Sequence, residues 1–191
     1  MTKQQQARNP DAFRAARAQM DRVVDWLESD EAGGLAHDAI ETELDAKGRR
    51  LMRQLYQDYL DLRAMRERHR SGVVDADGVE RNTVEAEHSR TLTTVFGTVT
   101  ARRVAYRKSG RRNLHPADAS LNLAQEQYSY VVRQLAAQEA SQKSFADAAG
   151  AIEARTCERI GVRQVETLAQ RAAVDFDAFY QGRVSKWASI G

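Results

Sequence analysis

A mostly helical α+β fold is predicted by three features of this 191-residue sequence. Alanine, glutamine, glutamate, arginine and leucine crowd both ends, and only two prolines, Pro10 and Pro116, interrupt the chain. Between Ser71 and Pro116 valine, threonine, phenylalanine and tyrosine take over and the helical repeat disappears. The ends therefore read as α, the middle as a small antiparallel β element, and 42% apolar residues suffice for a buried core.

The elements follow in order. Phe13, Met20, Val23, Val24 and Leu27 fall near a helical repeat, and Pro10 stands where a missing N–H does little harm, so a first helix is expected over 11–28. Gly33 and Gly34 interrupt it. Leu35, Ile40, Leu44, Leu51, Leu55 and Leu62 then trace one stripe of a long second helix over 35–68, with Gly48 as a candidate bend. Its other faces carry alternating charge, as in LDLRAMRERHR, the pattern of a solvated helix surface or of an antiparallel helical pair. The stretch TLTTVFGTVTARRVAYRK reads as a hairpin turning at Phe96 and Gly97. Val99 lies on one parity and Val104 and Tyr106 on the other, which predicts a bulge near Arg102 and Arg103. An earlier strand over 79–88 would make a third. Candidate helices follow over 128–140, 144–155 and 162–180. The organisation is thus an N-terminal helical region, 1–70, a basic hairpin or small sheet, 71–116, and a second helical region, 117–180.

Charge separates two candidate sites. The chain carries 29 basic and 27 acidic residues, so attraction to a polyanion depends on where charges sit. No acidic side chain occurs from His88 to Pro116, while Arg102, Arg103, Arg107, Lys108, Arg111 and Arg112 crowd the second strand and the loop beyond it. Guanidinium groups there could straddle phosphates, or simply protect an edge strand. Residues 144–173 have helix-turn-helix character: Phe145, Ala148, Ala149 and Ile152 form the inner face of one helix, and Ile160, Val165, Leu168 and Ala169 that of the next. Arg163, Gln164, Thr167, Gln170 and Arg171 would then face outward, and arginine and glutamine can read guanine and adenine edges. Any packed helical hairpin shares the inner pattern.

Catalytic chemistry finds little support. His37, His69, His88 and His115 are far apart and form no HExxH pair, no phosphate-cradling glycine loop occurs, and Cys157 has no histidine close to it in sequence. Asp75, Asp77, Glu80, Glu85 and Glu87 lack calcium-loop spacing and either hold a divalent cation or balance the basic hairpin. No catalytic residue, metal or cofactor is assigned. A single cysteine cannot form an internal disulfide, the first twenty residues are charged throughout, and no run of eighteen apolar residues occurs, so a cytoplasmic protein without a membrane segment is expected.

The blocks GRRLMRQLYQDYLDLR, TLTTVFGTVTARRVAYR, NLHPADASLNL and RIGVRQVETLAQRAAVDFDAFY, in this order, resemble the N-terminal half of ISKra-type insertion-sequence transposases over about 35–180. In that family such blocks precede a DDE catalytic domain. The tail over 181–191 departs from the family, no residue here inherits a DDE role, and the resemblance implies the end-recognition portion of a truncated or frameshifted element. Cys157 stands where relatives tend to have glycine, and Val162 where they often have lysine. The expected function is DNA binding without cutting, in DNA transposition, with DNA as partner and no small-molecule substrate. The alternatives are an inactive regulator that competes or co-assembles with a full-length transposase, or a structural protein whose helices form a homo-oligomer without DNA.

Overall fold

The computed structural model describes residues 11–156 and 158–172. Cys157, the expected end of the last helix at Tyr180 and the tail 181–191 lie outside them. The described residues form a mostly α, α+β fold with one two-stranded antiparallel sheet. In order they give α1 (Arg14–Leu27), α2 (Asp30–Gly33), α3 (His37–Met65), β1 (Thr83–Thr94), β2 (Gly97–Arg107), α4 (Pro116–Ser120), α5 (Tyr130–Ala140) and α6 (Phe145–Thr156). A further helix, α7, is described over 162–172.

The chain divides into two compact units. One takes the stretch up to Thr91 with Val99–Asn122; the other takes Leu92–Thr98 with the stretch from Leu123 onward. The division does not follow the three regions read from composition, because the tip of the hairpin counts with the C-terminal helices.

In the first unit α1 packs on α3, and a cap joins them. Phe13 precedes α1 and makes no side-chain cap, which leaves first-turn N–H groups to find acceptors elsewhere. Buried Asp58, on α3, supplies one: its Oδ2 accepts from the Ala16 amide at 3.0 Å while Oδ1 accepts from Gln54 at 2.8 Å. A carboxylate at a helix N-terminus also meets the positive end of the helix dipole. The short α2, unexpected between Gly33 and Gly34 and the first helix, exists because Ser29 caps it, accepting from Ala32 at 3.4 Å.

The hairpin is longer than expected. The segment 79–88 does not supply a third strand; from Thr83 it is the beginning of β1 itself. Glu87 has φ 58°, the left-handed region, and β1 has 12 residues against 11 in β2, so the extra residue sits in β1 and not near Arg102. The parity change that pointed to β2 has another cause. Val99, Ala101, Arg103 and Ala105 are buried on one face, and Val104 and Tyr106 are buried on the other, so both faces of its C-terminal half are covered. Its outer edge is covered as well. The Gln57 carboxamide pairs with the Thr100 backbone in both directions (2.8 and 3.0 Å), Glu67 accepts from the Val104 amide at 2.9 Å, and Tyr106 exchanges backbone hydrogen bonds with Leu114 (2.9 and 3.0 Å). Those acceptors leave most of this edge nothing to offer another strand.

In the second unit α5, α6 and α7 share a core of Val132, Ala136, Ala148, Ala149, Ile152, Ile160, Val165 and Leu168. Burial of its larger aliphatic side chains contributes about 1.5–3 kcal/mol each. Phe145, expected on the inner face, is instead 37% exposed at the start of α6. Ser129 caps α5 and Ser144 caps α6, accepting from Val132 at 3.3 Å and Asp147 at 3.2 Å. The hairpin tip joins this unit through Thr93, whose N–H donates to Gln127 and whose carbonyl accepts from Ser129. Among the described residues no helix is long and apolar enough to cross a membrane.

Replacing Asp58 by alanine leaves the Ala16 amide without its acceptor, and chemical denaturation should show a loss of about 1–3 kcal/mol, with faster amide exchange at Ala16.

Candidate nucleic-acid interface

The hairpin cations are paired individually. Arg102 meets Asp61 of α3 at 2.7 Å, Arg107 meets Glu85 across the hairpin at 2.7 Å, and Arg111 meets Asp77 at 2.9 Å. Arg103 points to the opposite face from Arg102, is buried, and lies 2.6 Å from Asp118 of α4 in an ionic approach without hydrogen-bond alignment. Lys108 and Arg112 are exposed and have no ionic partner among the described residues. The six cations thus do not share one face. The acidic cluster balances this region: besides Asp77 and Glu85, Asp75 binds Arg81 at 2.7 Å, and its carboxyl is held below the usual range, first by the Val79 amide. No group of three or more potential metal ligands occurs among the described residues.

Beside Arg103 the imidazoles of His88 and His115 meet, Nδ1 to Nε2 at 3.1 Å. Burial, then the Arg103 guanidinium, push His115 below its ordinary value, while Asp118 opposes them. The neutral imidazole is therefore the form the folded state favours.

Besides Lys108 and Arg112, a larger group of cations without carboxylate partners among the described residues lies elsewhere in this unit. Where α3 ends, Arg63, Arg66, Arg68 and Arg70 line a concavity of about 400 Å³ with Arg102 and the Ala117–Leu121 turn. The guanidiniums of Arg63, Arg66, Arg68 and Arg70 have no ionic or hydrogen-bond partner among the described residues. The two carboxylates that alternate with them in sequence are engaged: Asp61 by Arg102 and Gln57, Glu67 by the Val104 amide. Tyr106 fixes the segment, its hydroxyl accepting from the Arg70 amide at 2.6 Å. These arginines were visible in LDLRAMRERHR, where the alternation of charge read as a solvated helix surface and not as a site.

In the second unit α6 and α7 pack through Ala148, Ala149, Ile152, Ile160, Val165 and Leu168 of the expected inner faces, without Phe145 and Ala169, and Val162, Arg163, Gln164, Thr167, Gln170 and Arg171 are all exposed. Not all are free to read bases. Gln164 Oε1 accepts from the Gly161 amide at 3.2 Å, a capping arrangement that starts α7. Thr167 donates to the Arg163 carbonyl, Gln170 to Glu166, and Arg171 pairs with Glu126. Arg163 has no ionic partner among the described residues, nor has Arg159 in the turn before it, a residue the sequence pattern did not single out. The turn is pinned by Glu158, which accepts from the Thr98 amide at 2.7 Å, and by Thr156, buried and bonded to the Ile152 carbonyl.

Set against known proteins, the chain matches no family model and no curated protein.

His115 supplies a pH test. A group whose folded pKa is depressed stabilises the fold above its unfolded value, about 6.5 for histidine, and that contribution is lost as pH falls through the folded value. Melting temperature should fall between about pH 7.5 and pH 5, above the usual carboxylate range, and His115→Gln should flatten that fall.

Proposed function

We propose that this protein binds DNA, with the arginine-lined concavity at the end of α3 seating phosphates and the exposed face of α7 contacting a groove. The single observation that carries the reading is the row Arg63, Arg66, Arg68 and Arg70, whose guanidiniums have no partner among the described residues although the neighbouring hairpin arginines are paired. Guanidinium groups chelate phosphate oxygens and release counterions on doing so, which gives affinity without sequence preference. Preference would come from Arg163, the free guanidinium on the first turn of α7, with Arg159 in the turn before it. Among the hairpin residues, Lys108 and Arg112 can add phosphate contacts; Arg102, Arg107 and Arg111 can do so only by exchanging a carboxylate for a phosphate. The resemblance to ISKra-type transposases supplies the biological setting: recognition of the ends of an insertion sequence in DNA transposition, in the cytoplasm.

The test is a salt titration of binding to duplex DNA. Replacing Arg63, Arg66, Arg68 and Arg70 by alanine should weaken binding to every sequence and lower the slope of log K against log salt by about three to four. An unchanged slope removes the concavity from the interface. Arg163→Ala should instead erode preference between an element-end sequence and random DNA by about 1–3 kcal/mol, and equal loss on both would count against groove reading.

A further inference from the structure

The α1–α3 pair has two long flanks of opposite character. On one, Gln19, Arg22, Lys47 and Arg50 line the groove between the helices. Towards the end of α3, Gln57 and Asp61 reach β2 from that same side. On the other flank Met20, Val24 and Leu27 of α1 and Leu44, Met52 and Tyr59 of α3 are each between 38% and 48% exposed.

Helix geometry puts these last residues on one surface. Ala16 lies beside Asp58 and Trp26 beside Lys47, so the two helices run antiparallel. In an antiparallel pair, positions rotated about 90° in the chain direction from the mutual contact line look the same way on both helices. Met20, Val24 and Leu27 on α1, and Met52 and Tyr59 on α3, are rotated in that sense. Gln19, Arg22, Arg50 and Gln57 are rotated in the opposite one. Gly48 belongs to the apolar surface, and a Cβ added there would meet nothing within 4 Å.

The charges bordering this surface are polarised. Arg14 of α1 and Arg63 of α3 stand at one end; Glu28 and Glu41 stand at the other, where Asp45 is taken up by Arg49 at 2.7 Å. A surface that is anionic at one end and cationic at the other complements a copy of itself turned end for end. That is the relation a two-fold axis imposes.

We infer that a second copy of this chain docks here, through a two-fold axis passing near Val24 and Met52, and builds a four-helix arrangement from two α1–α3 pairs. The 29 residues of α3 span about 43 Å and the shorter α1 covers about half of that length. With helices about 10 Å wide, the surface offers about 600 Å² per copy, about 1,200 Å² in the pair, the lower end of stable specific interfaces. Methionine and tyrosine at its centre are residue types that such interfaces favour.

Sedimentation of the full chain tests this. The wild-type protein should sediment as a dimer, and Met20→Glu with Met52→Glu should sediment as a monomer of unchanged circular dichroism. Charge exchange gives an independent readout that does not touch the apolar centre. A protein carrying Arg14→Glu and Arg63→Glu, and another carrying Glu28→Arg and Glu41→Arg, should each self-associate at least about tenfold more weakly than wild type. Mixed, they should form a one-to-one dimer. A wild-type chain that stays monomeric at about 100 µM overturns the inference, since some other segment or partner then covers the surface. So does a dimer that survives Met20→Glu with Met52→Glu, or folded charge-exchanged proteins that fail to pair.

Discussion

The constraint on which the first unit depends is that an acid-free, arginine-rich strand must find its counter-charges outside itself. β2 and the loop after it hold no carboxylate, so α3 sends Asp61, α4 sends Asp118, β1 sends Glu85 and the turn before it sends Asp77. Exposed pairs of this kind each contribute only about 0–1 kcal/mol, so their weight lies in specificity and not in stability. They fix which helix lies along which part of the hairpin. Arg103 is the costly member, since a buried guanidinium keeps only what Asp118 returns to it.

The same pairing decides which cations of this region stay without a carboxylate. Asp61 and Glu67, drawn to β2, are withdrawn from the end of α3, and that segment is left with arginines that have no carboxylate of their own among the described residues. The proposed affinity for a polyanion and the integrity of the hairpin thus both rest on one distribution of acids. The second unit is built by different means: an apolar three-helix core, capped at Ser129, Ser144 and Gly161, with no buried ion pair in its core cluster. Its outward face is a surface of polar side chains, several satisfied locally, around Arg159 and Arg163.

What the sequence disclosed and what it hid divide along the range of the interactions. The long helices, the hairpin, whose turn falls one residue earlier than expected, at Val95 and Phe96, and the α6–α7 pair were legible because 3.6-residue and 2-residue periods are local. The single strand from Thr83 to Thr94 was not, because Glu87 adopts a left-handed conformation that absorbs a residue and breaks the alternation without ending the strand. Val104 and Tyr106 misled for a related reason: alternation presumes one covered face, and there both are covered. Asp61 and Glu67 are the plainest case. Alternating with Arg63, Arg66 and Arg68 in sequence, they read as part of a solvated helix face. In the fold, Asp61 goes to Arg102 and Gln57, and Glu67 to the Val104 amide. The cap from Asp58 to Ala16, 42 positions apart, left no local signature either.

The most direct measurement is an NMR titration that follows arginine side-chain Nε–H and backbone amide signals as a short duplex DNA is added at moderate salt. The largest shifts should fall on Arg63, Arg66, Arg68 and Arg70 and on the exposed face of 162–172, while Arg103 remains unmoved. Shifts confined to Arg102, Arg107 and Arg111, with the end of α3 silent, would contradict the account.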